Sequence, residues 1–210
     1  MDSVNYDTSL TRLVSYPRTG SHYVRIVIED CIHFPCAPTS FLSNENSAPW
    51  GFHLHDRVVG SGDEGAFSGF DNVIYLYRNP IDTIYSNLKY HKSYDWKTIA
   101  YEYKNHLERW LYNHSDCKNF NAFKYEDILN DPLSQFNKII SLIKYNYDIN
   151  DLENAITNTT IQRVRELTEH IDSNVIDMSR IDGGYGKDKA YFSTYCGSKI
   201  REIFKEIYNF

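Results

Sequence analysis

Short apolar runs alternate along this chain with longer stretches whose apolar residues recur every three to four positions. Runs of the first kind suit strands buried on both faces, and the second pattern suits amphipathic helices. Together they predict an α/β fold with a mostly parallel central sheet flanked by helices. Leu13-Val14-Ser15-Tyr16 reads as a strand, Pro17–Gly20 as a turn, and Ser21–Asp30 as a helix with Tyr23, Ile26 and Val27 inward. Gly51–His55 is a second strand candidate. Val73-Ile74-Tyr75-Leu76-Tyr77 is the clearest buried strand. Asn79-Pro80 then opens a helix to about Tyr90, with proline in the first turn, where its missing N–H has no intrahelical partner to lose. Asp95–Asn113 carries Trp96, Ile99, Tyr103, Leu107 and Trp110 at helical spacing, a stripe read as core packing.

Phe120–Tyr125 reads as a further strand. Asp131-Pro132 caps and starts a helix with Leu133, Phe136, Ile139, Ile140 and Ile143 inward. Short helices are expected over Asp151–Asn158 and Ile161–Glu169, and Thr194–Tyr208 closes the chain on Ile200, Ile203, Phe204 and Ile207. Cys31–Pro49, with three prolines, and Asp56–Asp71, with four glycines, read as irregular, and Ile181–Lys189 as a Gly-rich loop. No repeat or linker interrupts the pattern, so residues 1–210 are expected to form one domain.

Composition narrows the function. The 210 residues hold 22 Lys+Arg against 28 Asp+Glu, a net charge of −6. That balance speaks against a general nucleic-acid binder, which needs a broad basic surface, but allows a local basic pocket for one anionic ligand. No apolar run approaches the ~20 residues of a membrane span. Met1–Leu10 is polar and unlike a signal peptide, so the expectation is a cytoplasmic protein without membrane contact. Four cysteines are too few for a disulfide scaffold. Cys31, His33 and Cys36 are zinc-ligand types, but the usual second ligand pair is missing, so they are read as structural thiols and no metal is assigned.

Two stretches carry chemistry. Ser15-Tyr16-Pro17-Arg18-Thr19-Gly20-Ser21 joins a strand to a helix, where backbone N–H groups and the helix dipole meet an anion. Gly20 permits close backbone approach, Thr19 and Ser21 bring hydroxyls, and Arg18 brings a fixed charge. An ordinary surface turn is the competing reading. The G-x-x-x-x-G-K-[ST] pattern that holds nucleoside triphosphate and magnesium is missing. Arg78 also stands where many nucleotide triphosphatases place a metal-binding Asp. The second stretch is Arg78-Asn79-Pro80 followed by Ser86. Arg78 leaves the carboxyl end of a central strand, where ligands bind in open α/β sheets, and Ser86 lies on the next helix. An Arg with a Ser hydroxyl there suits a second phosphate. A surface ion pair and a neutral helical serine are the alternative.

The ordered set resembles the sulfotransferase family that uses 3′-phosphoadenosine 5′-phosphosulfate. Residues 15–25 resemble its 5′-phosphosulfate loop, and residues 73–90 its 3′-phosphate segment, including the Arg78-to-Ser86 interval. Phe123-Lys124-Tyr125-Glu126-Asp127 with Asn130-Asp131-Pro132 resembles the family's Tyr-Glu-Asp strand end, and Gly183–Phe192 its C-terminal cofactor loop. The resemblance implies a P-loop-like architecture and metal-free sulfuryl transfer, leaving adenosine 3′,5′-bisphosphate. It implies that Arg18 neutralises the leaving phosphate, with Thr19, Gly20, Ser21, His22 and Tyr23 around the cofactor. Arg78 and Ser86 would hold the 3′-phosphate, Tyr125 would contact adenine, and Arg180 and Gly183 would belong to the late loop.

The family's general base is a His before the Arg-containing strand, here His55, with His53 as the alternative. Both fall on one face of the expected strand. Tyr23 stands where relatives often have Trp, and His22 replaces a common Thr. In the late loop Arg180 is displaced by one residue and Asp182 adds a negative charge near an expected phosphate. The interval from Arg18 to His55 is short for the family. It suggests an open acceptor site and a bulky or extended acceptor, whether small molecule, carbohydrate or peptide. A nucleotide-binding protein without catalysis and a small-molecule kinase remain as alternatives.

Overall fold

A computed structural model describes residues 11–33, 72–91, 95–113, 119–143, 146–169 and 185–209. Three parallel strands, β1 (Thr11–Ser15), β2 (Asn72–Tyr77) and β3 (Asn119–Lys124), form a sheet in that order with β2 central. Register pairs Ser15 with Leu76, and Leu76 with Phe123, so the three strands end at nearly the same level. The helices are α1 (Ser21–Ile32), α2 (Pro80–His91), α3 (Trp96–Tyr112), α4 (Tyr125–Asn130), α5 (Pro132–Ile143), α6 (Ile149–Asn158), α7 (Ile161–Glu169) and α8 (Tyr185–Phe204).

Period-two alternation divides each strand between two cores. Leu13, Ile74, Leu76 and Phe123 point to one face, against α1, α4, α5 and α6. Val14, Val73 and Tyr75 point to the other, against α2, α3 and α8. Helix starts follow local chemistry. The Asn79 side chain accepts from the Ile81 N–H at 2.9 Å, and Pro80 follows it, fixing the first turn of α2. Asp131 accepts from Ser134 N–H at 3.3 Å ahead of α5, and Asp148 from Asn150 N–H at 2.8 Å ahead of α6.

Fold class and strand pairing match the expectation; several boundaries differ. Helix α1 runs on to Ile32, with Cys31 buried in the core. Tyr125 opens α4 instead of ending β3, because the chain turns helical directly at the strand end. The last helix starts at Tyr185, so Gly186 lies within it and Thr194 is midway along it, not at its start. Leu133 is exposed, since a helix beginning at Pro132 turns its first residues outward before Phe136 reaches the core. His33 is exposed and lies 3.7 Å from Asp151. The expected strand Gly51–His55, and with it His53 and His55, lies outside the described residues, as do Cys36, Cys117, Arg180 and Gly183. Among the described residues no helix is long and apolar enough to cross a membrane.

Candidate active site

Beyond Ser15 the chain leaves the ladder and turns into α1 through Tyr16–Gly20. Two of its residues are left-handed, Arg18 at φ 74° and Gly20 at φ 98°. Glycine is required at position 20: a Cβ there would sit 2.2 Å from Cε2 of Tyr125. Arg18 has no such freedom, and its conformation costs about 1–2 kcal/mol. Three hydrogen bonds hold it. Arg78 Nη1 donates to the Arg18 carbonyl at 3.3 Å, Arg18 Nε donates to Ser86 Oγ at 3.2 Å, and Thr19 Oγ1 donates to the Tyr16 carbonyl at 2.8 Å. The Thr19 proton is thus committed to the loop itself, and its side chain is buried. Among the described residues no side chain caps α1, and no acid lies in its first turn, so the positive end of its dipole faces the loop without a fixed counter-charge from that turn.

Arg78 sits one residue past the ladder, whose last pair is Tyr77 with Lys124. Its guanidinium lies 3.6 Å from Asp82 and stands over the Tyr125 ring at 5.1 Å. The other Asp82 oxygen binds Lys189 of α8 at 2.7 Å. The next peptide is also fixed: Asn79 N–H donates to Glu126 Oε1 at 2.9 Å. Ser86 is buried on α2, turned toward Arg18. Burial raises the Tyr125 phenol above its ordinary range, with the Arg78 charge working against that and the Glu126 charge adding to it. Tyr23 meets the Tyr125 ring edge-on at 6.3 Å and the Phe136 ring at 5.7 Å.

Arg18, Gly20, Arg78, Ser86, Tyr23 and Tyr125 therefore converge on the carboxyl end of the sheet, around the β1–α1 and β2–α2 connections. This is an α/β architecture of P-loop-like type, with cationic side chains at two strand ends. Asp82, Lys189 and Tyr103 also reach this cluster and were not read as site residues from sequence. Asp82 sits four residues after Arg78, a helical ion-pair spacing that is legible. Tyr103 could be read only as core.

A family model for the sulfotransferase domain matches residues 66–209, and the chain belongs to that family. The matched segment holds Arg78, Ser86 and Tyr125; the Arg18 loop lies before it. Among solved structures, the chain is similar to mouse sulfotransferase SULT7A1 in complex with PAP, with 18% identity and a TM-score of 0.54. The match covers 75% of this chain and spans 65% of the mouse chain. Comparison with curated proteins finds no match.

Proposed function

We propose that this protein transfers a sulfuryl group from 3′-phosphoadenosine 5′-phosphosulfate to a hydroxyl or amine of an acceptor, and that residues 1–210 act as one domain. The carrying observation is the direct contact of the two basic stretches: Arg78 bonds the Arg18 carbonyl, and Arg18 bonds Ser86. A nucleotide phosphorylated at both ends fits such a pair. Arg78 Nε is buried and lacks a hydrogen-bond partner among the described residues, a donor suited to a phosphate oxygen.

In this reading Arg78 and Ser86 hold the 3′-phosphate, and Arg18 with Thr19, Gly20, Ser21 and His22 surrounds the 5′ end. Tyr23 and Tyr125 face the adenine, and Arg180 and Gly183 close the late loop. The donor supplies an activated sulfuryl group. Arg18, permanently charged, offsets charge on the departing phosphate and does not act as a proton donor. His55 takes the acceptor's proton, with His53 as the alternative base. A neutral imidazole is required for that step, so activity should fall as pH drops through the histidine range.

The test is sulfate transfer to a panel of alcohols, phenols, sugars and peptides in the presence of EDTA. Transfer that survives EDTA, and falls by about 10²–10⁴ in His55→Ala with donor affinity kept, supports the reading. Full activity in both His55→Ala and His53→Ala removes the histidine base. Tight binding of adenosine 3′,5′-bisphosphate with no turnover across the panel favours a binding protein instead.

A further inference from the structure

Arg78 is the first residue of β2's exit whose backbone has no strand partner, yet it lies among packed side chains. A peptide group there needs a donor and an acceptor from elsewhere. Both come from one phenol. The Arg78 N–H donates to Tyr103 Oη at 3.0 Å, and Tyr103 Oη donates its proton to the Arg78 carbonyl at 2.7 Å. Tyr103 is fully buried on α3, and its ring packs on Tyr16 at 4.8 Å and on Phe204 at 5.8 Å. The same side chain therefore touches the opening residue of the Arg18 loop with its ring and grips the Arg78 backbone with its hydroxyl.

The geometry points to Tyr103 as a positioning residue that fixes the backbone of Arg78, and so sets the preference of the site for a 3′-phosphorylated nucleotide. This inference rests on the nucleotide assignment above. A guanidinium carried on four rotatable side-chain bonds selects a phosphate only if its Cα is held, because error at the root is magnified at the tip. Asn79 is held separately by Glu126, and Asp82 restrains the guanidinium itself. Of the two residues between strand and helix, Arg78 depends on Tyr103. Burial raises this phenol far above its ordinary value, so its proton stays available to the Arg78 carbonyl across the physiological range.

Tyr103→Phe keeps the ring and deletes only the hydroxyl. Binding of adenosine 3′,5′-bisphosphate and adenosine 5′-monophosphate is measured for wild type and variant, with thermal unfolding alongside. The expected result is about a tenfold loss for the bisphosphate, the scale of one buried hydrogen bond broken with its partners left unpaired, and under about a twofold change for the monophosphate. A merely structural role weakens both nucleotides together. Replacement of Tyr103 by 4-aminophenylalanine, which keeps a donor at the same place, should restore most of the preference and covers the case in which the Phe variant is too unstable to assay. A wild-type preference that survives intact in Tyr103→Phe overturns the positioning role while leaving the nucleotide assignment standing. A wild type that binds both nucleotides equally overturns the assignment and the positioning role with it.

Discussion

On one side of the sheet, α1, α5 and α6 bury Val24, Val27, Ile28, Ile139, Ile140, Ile143 and Leu152, with Phe136 among them. On the other, α2, α3 and α8 bury Tyr16, Tyr75, Tyr103, Trp110 and Phe204, with His106 inside the cluster. The first face is largely aliphatic and contributes burial. The second combines ring packing with hydroxyls that need partners, and it spends them on fixed polar contacts. Tyr75 Oη lies 2.9 Å from His106 Nδ1, Tyr103 holds both backbone groups of Arg78, and Tyr208 donates to Glu126 Oε2 at 3.4 Å. Glu126 in turn receives the Asn79 N–H. The contrast teaches that two cores of one domain can divide their work. One supplies cohesion, while the other ties α3, and the segment that follows α8, to the strand end where the basic side chains stand.

The contrast can be broken most strongly from the aliphatic side. Phe136→Ala should cost about 3–5 kcal/mol of stability, through lost burial and the cavity left behind. Chemical denaturation measures that loss. In the folded fraction the ratio of bisphosphate to monophosphate affinity should stay at its wild-type value. A changed ratio would show that the aliphatic face also shapes the site. A smaller effect belongs to the junction of the two faces. Gly20→Ala forces an L side chain into left-handed backbone and a Cβ into the Tyr125 ring. It should cost about 1–3 kcal/mol of stability and weaken nucleotide binding, read by calorimetric titration of the bisphosphate. Unchanged affinity would mean that the Tyr125 ring is free to move without consequence.

The smallest effect near neutrality comes from pH. Burial raises the phenols of Tyr77, Tyr103 and Tyr208 above their ordinary range, and raises the Cys31 thiol to about 12. A group with a raised folded-state value contributes its full stability below the unfolded value and loses it as pH climbs toward the folded one. Stability should therefore be insensitive to these groups below pH ~7.5, then fall as pH passes the ordinary thiol value near ~8.5 and, more steeply, the phenol value near ~10. Tyrosinate absorbance followed beside circular dichroism checks this, since the buried phenols should ionise only with unfolding. Ionisation of all 18 tyrosines near the ordinary phenol value in a folded chain would contradict the aromatic-face picture.

Much of the candidate site was legible because its signals are local. Strand followed by Pro-Arg-Thr-Gly, and strand followed by Arg-Asn-Pro with Ser eight residues after the Arg, are each contiguous in sequence. The left-handed Arg18 was not legible. Nothing about its residue type favours that conformation, which is held by the Arg78 bond to its carbonyl and the loop bond from Thr19 to Tyr16. Tyr103 was placed correctly on a buried helical stripe, but periodicity reports only which face a residue occupies. It does not say where a phenol's oxygen ends. The early start of α8 was obscured by Gly186, which reads as a loop breaker and lies within helical backbone.

What the sequence determined alone is the alternation of strands and helices, the parallel sheet it implies, and two basic connections at strand ends. These depend on hydrophobic period and turn chemistry, which act over a few residues. The tertiary structure decided which connection touches which. Arg18 and Ser86 lie 68 residues apart, and Arg78 and Tyr103 lie 25 apart, yet each pair is within hydrogen-bond distance. Parallel pairing of β1 with β2 brings both strand ends to one level, and α3 packs across the exit of β2. Only that packing brings separate arginines and a core tyrosine into one cluster.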